Sequence, residues 1–560
     1  MIWPNYLLMS FLNALKLVKS NYMKNILKIT LLLFLTIGCK KEAKNGTSGV
    51  YYTDLFLEDS VITSYFEANP ENESIKNSVD LFYQNRDFQY AWFNKKGMTQ
   101  AVPNFYNQLF NYSNDFNDKS FNIEQIDSLI TLVKTQKSDV EVATKRIENL
   151  ELLLTTTFFK YSKKAYGGIN KTAHQLDWFI PRNKKNYQVL LDSLILKDAN
   201  DKTSEPVNLY YSKLKEKLHL YRDIQKKGGF PIIKMDKELL FVSQSDSCLL
   251  KVKQRLLLTR DLKSNDKSIL FTEDLAKAVA NFQQRLGLPE NGKLDAKTVT
   301  ELNKTVEFRI KQMMINLERL RWVPVEIEKD YLLVNIPEYK LHVIENEKIV
   351  WEANVIVGQA AKQTTIFKGN ISTLVLNPYW NIPNSIIIDE ILPKLKQNSN
   401  YLSKNNMEVV SGEEVMDASE IDWNKYTETV PFQIRQKPGK DNSLGKMKFL
   451  FPNNYNIYLH DTPAKELFNS RKRDFSHGCI RVENPKKLAL YLLRNNEAWS
   501  PEKVAAILAT DENKEIAIQP KLPVYIVYFT AWVDSNGNLN FRNDIYNLDE
   551  QLAKEIFSEE

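Results

Sequence analysis

The spacing of hydrophobic and polar positions divides the chain into a helical part and a strand-rich part. Up to about residue 245, apolar residues recur every three or four positions, most clearly in IEQIDSLITLVKTQ, VATKRIENLELLLTTTFFKYSKKAY and LYYSKLKEKLHLYRDIQKKGG. This period predicts amphipathic α-helices, and the Gly-Gly pair marks the end of the third one. We therefore expect a helical scaffold domain over residues 50–245.

A smaller helical unit is predicted over residues 246–305. Thr272 is placed to cap a helix, and Gly287 stands where a left-handed residue would end it. Asp295 is placed to cap a second, shorter helix. The first helix carries one apolar stripe, formed by Leu275, Val279, Phe282 and Leu286.

After residue 305 one further helix leads into many short segments rich in β-branched and aromatic residues, among them YLLVNIP, KLHVIEN, IVWEANVIVG, MKFLFP and YNIYLH. This pattern predicts a mostly antiparallel β domain over residues 306–560, with a last hairpin turned at Asn536-Gly537. Residues 385–430 interrupt the strands, and an insertion of this length is typical of a lid or binding loop. The predicted fold class is thus multidomain α+β, with a cap insertion in the strand-rich part.

The N-terminal segment MKNILKITLLLFLTIGCKK has the order of a secretory signal peptide. Basic residues precede an apolar run, which ends at Gly38-Cys39 and is too short to span a bilayer comfortably as an anchor helix. The segment resembles a bacterial lipoprotein signal, which implies lipidation of Cys39 and attachment to a membrane. Within residues 1–38, we expect an over-called start, meaning that residues 1–22 precede the true start at Met23, followed by the signal peptide (23–38). Residues 39–49 are expected to form a flexible tether.

Composition and charge exclude some classes of function. The chain has 560 residues, 43% of them hydrophobic, and its 75 basic and 69 acidic residues leave a net charge of only +6. Without a concentrated basic stripe, we expect no nucleic-acid partner. The three cysteines have no regular spacing, so they do not predict a disulfide framework.

The candidate chemistry lies in the segment YLHDTPAKELFNSRKRDFSHGCIRVENP, residues 458–485. A cysteine nucleophile needs a base or a positive field, donors for an oxyanion, and access to the substrate. YNIYLH delivers His460 near the end of a predicted strand, and SHGCIRV is a predicted turn that presents Cys479. Gly478 would let backbone N–H groups approach a substrate carbonyl, and His477 would share a face with Cys479 in an extended chain.

Two other interpretations of this cluster are a zinc site and a chance arrangement. His460, His477 and Cys479 are three potential zinc ligands, but no second Cys or His pair lies nearby and CxxC spacing is missing. A chance cluster is the other interpretation, and the number of local features disfavours it. We expect neither a metal nor a cofactor.

The motifs resemble those of the L,D-transpeptidase family. HDTP is followed, sixteen residues after its histidine, by SHGCIRV, and similarity extends over VNIPEYKLHV, NPYWNIP and IRVENPKKLAL. The run LAKAVANFQQRLGLPENGKLDAKTVTELN resembles the small three-helix peptidoglycan-binding domain. Together with the helical N-terminal part, the chain is similar to the large YcbB-type subfamily from about residue 50 to the end.

The resemblance implies roles for the central residues of the site. Cys479 would be the nucleophile and His460 the general base, oriented by the backbone carbonyl of Asp461. The N–H groups of Gly478 and Cys479 would form the oxyanion hole.

The same resemblance implies a surrounding group of residues. Ser476 and His477 would support the thiolate, and Tyr458 and Trp380 would line the groove for the donor peptide. Simpler family members carry Asn where this chain has Arg481, as the large subfamily does, so Arg481 is a supporting residue without a fixed role.

The implied activity is cell-wall cross-linking on the periplasmic face of the envelope. The enzyme would form a Cys thioester from a tetrapeptide stem with release of D-Ala, and pass it to a diamino-acid amine, giving 3→3 cross-links. Its partners would be peptidoglycan stem peptides and glycan, and carbapenem-type β-lactams would acylate it. Three alternatives stay open, namely an L,D-carboxypeptidase, an enzyme that attaches a lipoprotein to peptidoglycan, and a non-catalytic peptidoglycan-binding scaffold.

Overall fold

The computed structural model describes residues 53–135, 139–182, 185–196, 206–398, 400–412 and 414–557. The predicted signal peptide, the lipidation site Cys39 and the tether lie outside these ranges. Within the ranges, no helix is both long enough and apolar enough to cross a membrane. The chain forms two compact units, of which the first contains Met1–Val102 and Ser128–Thr156 and the second contains Pro103–Asp127 and Thr157–Glu560.

The α-helices of the described residues are α1 Asp59–Ala68, α2 Lys76–Asn85, α3 Ala101–Phe116, α4 Ile123–Thr135, α5 Val140–Ser162, α6 Tyr187–Leu196, α7 Leu209–Lys226, α8 Cys248–Leu258, α9 Glu273–Arg285, α10 Ala296–Leu302, α11 Val306–Arg321, α12 Asn384–Ile386, α13 Leu392–Gln397, α14 Tyr401–Lys404, α15 Pro485–Leu493, α16 Pro501–Leu508 and α17 Leu548–Ile556. Short 3-10 or π-helical turns are Pro70–Ile75, Lys163–Gly167, His174–Leu176, Ile336–Glu338, Ile387–Ile391, Trp423–Lys425 and Lys465–Asn469.

The strands are β1 Phe93–Asn94, β2 Gly97–Met98, β3 Trp178–Phe179, β4 Leu239–Leu240, β5 Leu294–Asp295, β6 Tyr331–Asn335, β7 Lys340–Glu345, β8 Lys348–Gly358, β9 Ile366–Leu376, β10 Trp380–Asn381, β11 Met407–Ser411, β12 Glu414–Met416, β13 Gln433–Gln436, β14 Met447–Leu450, β15 Leu459–His460, β16 Asp474–Ser476, β17 Ile480–Val482, β18 Lys514–Val527, β19 Ala531–Val533 and β20 Leu539–Phe541.

The helices predicted from apolar spacing are confirmed as α4, α5 and α7. In the smaller helical unit, Thr272 accepts a hydrogen bond from Leu275 N and caps α9, and Asp295 accepts one from Thr298 N and caps α10. Gly287 has φ +65°, the left-handed conformation expected just after the end of α9.

In the first unit, a buried carboxylate organises the packing of α5. Glu151 accepts hydrogen bonds from the backbone N–H groups of Ala91 and Trp92 and from the hydroxyl of Tyr83. Burial raises the pKa of Glu151 to about 7. All these donors belong to the same unit as Glu151. We therefore infer that this carboxylate stabilises the fold of the first unit.

The second unit is built on one sheet that closes on itself. Its strand path runs β14-β15-β17-β8-β7-β6-β18-β9, and β14 also pairs with β9. Most neighbouring pairs are antiparallel, as predicted, whereas β15–β17 and β6–β18 are parallel. Short β3 also pairs with β9, so a strand from the predicted scaffold range joins this sheet. The predicted domain limits at residues 245 and 305 therefore remain predictions.

The strand predicted over YNIYLH is much shorter in the structure. Only Leu459 and His460 pair with neighbouring strands. The Asn453 side chain accepts hydrogen bonds from the N–H groups of Tyr455 and Ile457, and Asn456 has φ +55°. These local bonds compete with the sheet, since an Asn side chain offers the backbone an alternative partner. The predicted hairpin at Asn536-Gly537 is confirmed as β19–β20.

The insertion predicted at residues 385–430 is part of a larger folded element, which we call the insertion module (380–436). Its sheet has the order β10-β13-β11-β12, and β10 pairs with β13 where the chain enters and leaves. Its own apolar core is formed by Ile382, Ile386, Ile387, Ile391, Leu392, Leu395, Leu402, Val409, Trp423 and Ile434. The module thus has a core separate from that of the main sheet.

Candidate active site

Three adjacent strands bring Lys448, His460 and Arg481 into one row. Lys448 on β14 is opposite His460 on β15, which in turn is opposite Arg481 on β17. In the strands β14 and β17 the residues on either side of Lys448 and Arg481 are fully buried, so these two side chains lie on the other face of the sheet. Cys479 and Tyr458 precede Arg481 and His460 by two residues, the spacing of side chains that share a face.

The His460 imidazole is buried and held by the main chain. Its Nδ1–H donates to the carbonyl oxygen of Asp461 at 2.5 Å, which is the contact implied by the family resemblance. Because a carbonyl only accepts, the hydrogen lies on Nδ1 and Nε2 is left as the acceptor. Burial lowers the pKa of His460 to about 3, with a contribution from nearby Arg481. The ring is therefore neutral at physiological pH and able to take a proton.

Asp461 holds the turn that carries this carbonyl. Its carboxylate accepts hydrogen bonds from the N–H groups of Lys446 and Thr462, and it forms an ion pair with Lys465. Gly445 has φ +61° and packs against this carboxylate so closely that a Cβ atom would collide with it. The orientation of His460 thus depends on a carboxylate that the base itself does not touch.

The SHGC turn is closed by Ser476. The Ser476 hydroxyl donates to the carbonyl of Cys479 at 2.5 Å and accepts from the N–H of Gly478 at 3.2 Å. Gly478 has φ +113°, a conformation that L side chains rarely adopt. Outside the turn, Thr364 donates to the Gly478 carbonyl at 2.7 Å. The turn is therefore fixed from inside and from the neighbouring loop.

This geometry changes the expectation for the oxyanion hole. The N–H of Gly478 already has Ser476 as its acceptor, whereas the N–H of Cys479 has no acceptor among the described residues. In this conformation Cys479 offers the free backbone donor, and Gly478 offers one only if its bond to Ser476 is exchanged. The positive φ of Gly478 also breaks the extended geometry in which His477 and Cys479 would share a face.

The Cys479 side chain is partly exposed and lies diagonally across from His460. Its Sγ–H donates to the backbone carbonyl of Asn456 at 3.4 Å, and no hydrogen bond joins it to the His460 ring. Burial raises the pKa of the Cys479 thiol, and contacts with Tyr458 and the charges of Lys448 and Arg481 oppose this shift. The resting site thus pairs a neutral thiol with a neutral imidazole.

His477 contacts the insertion module instead of the thiol. Its Nε2 lies 2.7 Å from a carboxylate oxygen of Glu390, in the π-helical turn 387–391. The neighbouring Asp389 lies 3.5 Å from the Nζ of Lys362. Two acidic residues of the module therefore face a histidine and a lysine beside the SHGC turn.

Of the two aromatic residues expected in the groove, Tyr458 lies beside Cys479, and Trp380 lies beside Tyr458. The Tyr458 hydroxyl interacts with both the Cys479 thiol and the indole of Trp380. The Tyr458 ring stands 5.6 Å from the His460 ring, and the Nζ of Lys448 lies 4.1 Å from its centre. Burial raises the pKa of Tyr458, so its hydroxyl stays protonated.

A metal centre has no support in the described part of the chain, where no three His, Cys, Asp or Glu side chains are close enough together to hold an ion. His460 and His477 have Asp461 and Glu390 as partners, which differs from a shared zinc site.

Sequence reasoning missed several residues that shape the site, namely Gly445, Lys448, Asn453 and Thr364. Lys448 follows Met447 in a predicted strand, and its alternation with buried neighbours placed it on the opposite face. Its position beside His460 depends on the register between β14 and β15, and the sequence pattern does not predict this register.

The family model of the YkuD L,D-transpeptidase catalytic domain matches residues 329–512, which contain every residue of the site. A scaffold domain model matches residues 77–218, and a model described as "Putative peptidoglycan binding domain" matches residues 253–302.

A curated relative from Haemophilus influenzae, named "Putative L,D-transpeptidase", is 36% identical over 245 residues. The match covers 43% of this chain and 48% of the relative, so the chain spans about half the length of the curated relative it matches.

Among solved structures, an L,D-transpeptidase from Stackebrandtia nassauensis has 12% identity and a TM-score of 0.22, covering 51% of this chain and 97% of its own. An L,D-transpeptidase from Xylanimonas cellulosilytica has 13% identity and a TM-score of 0.18, covering 52% and 100%. Because these TM-scores are low, the assignment depends on the family models and the curated relative. The chain therefore carries the catalytic domain of the L,D-transpeptidase family, with a scaffold domain and a peptidoglycan-binding domain before it in the sequence.

Proposed function

We propose that the chain is a cell-wall L,D-transpeptidase in which Cys479 is the nucleophile and His460 the general base. The Nε2 of His460 takes the thiol proton as Sγ attacks the carbonyl carbon between the diamino acid and the terminal D-Ala of a tetrapeptide stem. The C–N bond then breaks, the proton passes from His460 to the leaving amine, and a thioester remains on Cys479. An amine of a second stem then attacks the thioester and gives up a proton to His460, and the C–S bond breaks, which restores the thiol and leaves a 3→3 cross-link.

The observation that supports this proposal is the bond from His460 Nδ1–H to the Asp461 carbonyl, which leaves Nε2 as the proton acceptor on the strand next to β17, the strand that follows Cys479. The thiol must turn from the Asn456 carbonyl toward the imidazole, a rotation about its Cα–Cβ bond. Catalytic hydrogen bonds are commonly loose before substrate binds. Since thiol and imidazole are both neutral at rest, the thiolate forms only as the substrate is attacked.

We place the protein in the cell envelope, facing the periplasm, with Cys39 as the lipidated residue. The peptidoglycan-binding domain and the transpeptidase domain support peptidoglycan as the substrate. Globomycin-sensitive processing and loss of membrane attachment in Cys39→Ala would test the anchor.

The enzyme is tested by incubating the full chain with tetrapeptide muropeptides and identifying the products by mass spectrometry. Cross-linked dimer would support transpeptidation, whereas tripeptide alone would point to an L,D-carboxypeptidase. A product joined to a lipoprotein lysine, when such an acceptor is supplied, would point to lipoprotein attachment. A chain that gives no product and is not acylated by a carbapenem would be a binding scaffold.

Substitution at the site gives the mechanistic test. Cys479→Ser should abolish the mass increase caused by a carbapenem, because a serine hydroxyl lacks the accessible ionisation of a thiol. His460→Ala should lower the acylation rate by about 10²–10⁴-fold, the usual contribution of a general base. His477→Ala should leave measurable activity. Total loss for His477→Ala with a mild loss for His460→Ala would reverse the assignment of the base, and loss on zinc chelation would restore the metal interpretation.

A further inference from the structure

Two cations beside the nucleophile lack an acidic partner. Among the described residues, neither the Lys448 ammonium nor the Arg481 guanidinium has a carboxylate within ion-pair distance, and the buried Nε of Arg481 has no hydrogen-bond acceptor. Some other buried arginines of this unit have a carboxylate partner, as Arg309 has Glu301 and Arg319 has Asp549. Buried Arg255 has none in the described part of the chain, but its guanidinium donates to the Leu302 carbonyl and the Thr259 hydroxyl. Because charged groups removed from water are normally paired, the two lone cations indicate a missing anion.

Because Lys448 and Arg481 are partly buried, the lack of an acidic partner is unfavourable in free energy. Lys448 and Arg481 are only partly exposed, and burial lowers the pKa of both groups. Lys448 lies over the face of the Tyr458 ring, which attracts the ammonium but does not neutralise it. The acidic residue whose charge reaches Lys448 is Glu515 on β18, which is exposed and lies beyond β9 from Lys448. A ligand carboxylate would therefore gain both cations without displacing an existing ion pair.

We propose that Lys448 and Arg481 bind the carboxylate carried by the leaving group, the terminal carboxylate of the donor stem. The inference rests on the proposed function, and the register gives the reason for choosing this carboxylate. His460, which hands its proton to the leaving amine, lies between the two cations in the row across β14, β15 and β17. In an amino-acid leaving group, the carboxylate is attached to the carbon that bears this amine.

The same subsite constrains the acceptor. An attacking amine approaches the thioester from the side on which the first amine left, since acylation and deacylation are the same reaction in opposite directions. Lys448 and Arg481 would then favour an acceptor whose amine and carboxylate share one carbon. A lysine side-chain amine carries no carboxylate on that carbon, so this subsite disfavours lipoprotein attachment.

The test compares two donors and a set of variants of the full chain. One donor is a tetrapeptide stem ending in D-alanine, and the other ends in D-alaninamide. We expect the wild type to prefer the free carboxylate by about tenfold or more in kcat/KM. This is the size of effect that one hydrogen bond to a charged group typically has. Lys448→Met should remove most of this preference through a higher KM, and Lys448→Arg should keep it. A third donor, amidated at its second residue instead, should behave like the unmodified stem.

Lys368→Met is the matched control. Lys368 lies on the same sheet, 5.1 Å from the centre of the Tyr525 ring, but it already has Glu328 as its partner. We expect this variant to keep the preference for the free carboxylate. If Lys448→Met instead slowed both donors equally through kcat, or if the preference followed amidation of the second residue, the proposed subsite would be wrong.

Failure of the subsite and failure of the proposed function can be told apart by binding to the Cys479→Ala variant. Turnover without a carboxylate preference would refute the subsite and leave the transpeptidase function intact. The opposite result has two parts. The wild type would turn over no donor, while the Cys479→Ala variant would bind the free-carboxylate donor more tightly than the amide and lose this preference when Lys448→Met is added. That result would refute the function and support the subsite. Equal binding of the two donors would refute the subsite.

Discussion

At the scale of single residues, the proposed base is positioned by groups that take no part in proton transfer. His460 needs the Asp461 carbonyl at 2.5 Å to keep its hydrogen on Nδ1. Asp461 in turn is held by backbone donors and by Lys465, in a space that exists only because residue 445 lacks a side chain. A short chain of contacts thus links a glycine on a loop to the tautomer of the imidazole.

Gly445→Ala tests this chain of contacts. The added Cβ would collide with the Asp461 carboxylate and displace the carbonyl that orients His460. We expect the rate of acylation by a carbapenem to fall by about 10²-fold, since small misplacements of catalytic groups have effects of this size. Intact-mass spectrometry over time measures the rate.

Gly537→Ala is the control for backbone strain. Gly537 also has a positive φ, +79°, but a Cβ there would meet nothing within 4 Å. It should cost about 1–2 kcal/mol of stability and leave acylation unchanged. If both variants acylate at the wild-type rate, Gly445 does not control the base.

At the scale of elements, the insertion module has its own core and is joined to the rest of the chain through one pair of strands. β10 and β13 pair at its entry and exit, and Trp380 at that base contacts Tyr458 beside the nucleophile. The pair His477–Glu390 joins the module to the SHGC turn. We propose that the module covers the thioester, excludes water and so favours transfer to an amine over hydrolysis.

Removal of residues 382–434, with a two-residue turn joining β10 to β13, should raise the share of hydrolysed tripeptide relative to cross-linked dimer. The cut leaves Trp380 in place and removes the apolar core of the module as a whole. Glu390→Gln should shift the ratio in the same direction by less, because it loosens one contact. The ratio is measured by mass spectrometry of muropeptides at matched acylation.

Glu414→Gln is the control within the module, since Glu414 is exposed and has no ion-pair partner among the described residues. Its product ratio should equal that of the wild type. An unchanged ratio after removal of 382–434 would mean that the module is structural or binds a partner.

At the scale of the whole molecule, Arg285 forms a buried ion pair within residues 253–302 and also connects this segment to the C-terminal strand β20. Arg285 forms two hydrogen bonds with Asp261, at 2.6 and 2.8 Å, and donates a third to the carbonyl of Leu539 on β20. Arg542 returns a bond to the carbonyl of Arg285 at 2.8 Å. The two segments therefore share buried polar groups, and loss of one partner should be felt in both.

Arg285→Met should lower the free energy of unfolding of the second unit by about 3–5 kcal/mol, because it leaves the Asp261 carboxylate buried and unpaired. Adding Asp261→Leu should recover much of the loss. Lys277→Met, which breaks an exposed pair with Asp274, should have little effect. Urea unfolding followed by tryptophan fluorescence measures these changes, and equal losses for Arg285→Met and Lys277→Met would contradict the role of the buried pair.

Much of the fold followed from local pattern. The helices α4, α5 and α7, the caps at Thr272 and Asp295, and the hairpin β19–β20 depend on neighbours in the chain, which the sequence displays. The strand predicted over YNIYLH is reduced to Leu459 and His460, because the Asn453 side chain binds the backbone of the preceding loop. Such a competition depends on the energies of two alternatives, and alternation of apolar residues reports only one of them.

For the candidate active site, the sequence by itself predicted the chemistry, because the residue types of HDTP and SHGCIRV, and the family that these motifs resemble, imply a nucleophile and a base. The tertiary structure decided everything that depends on strand register. It placed the unpaired cations Lys448 and Arg481 on either side of His460, and it brought His477 into contact with Glu390. These relations join residues distant in the chain, and register is set by the packing of whole strands, so no local pattern contains them.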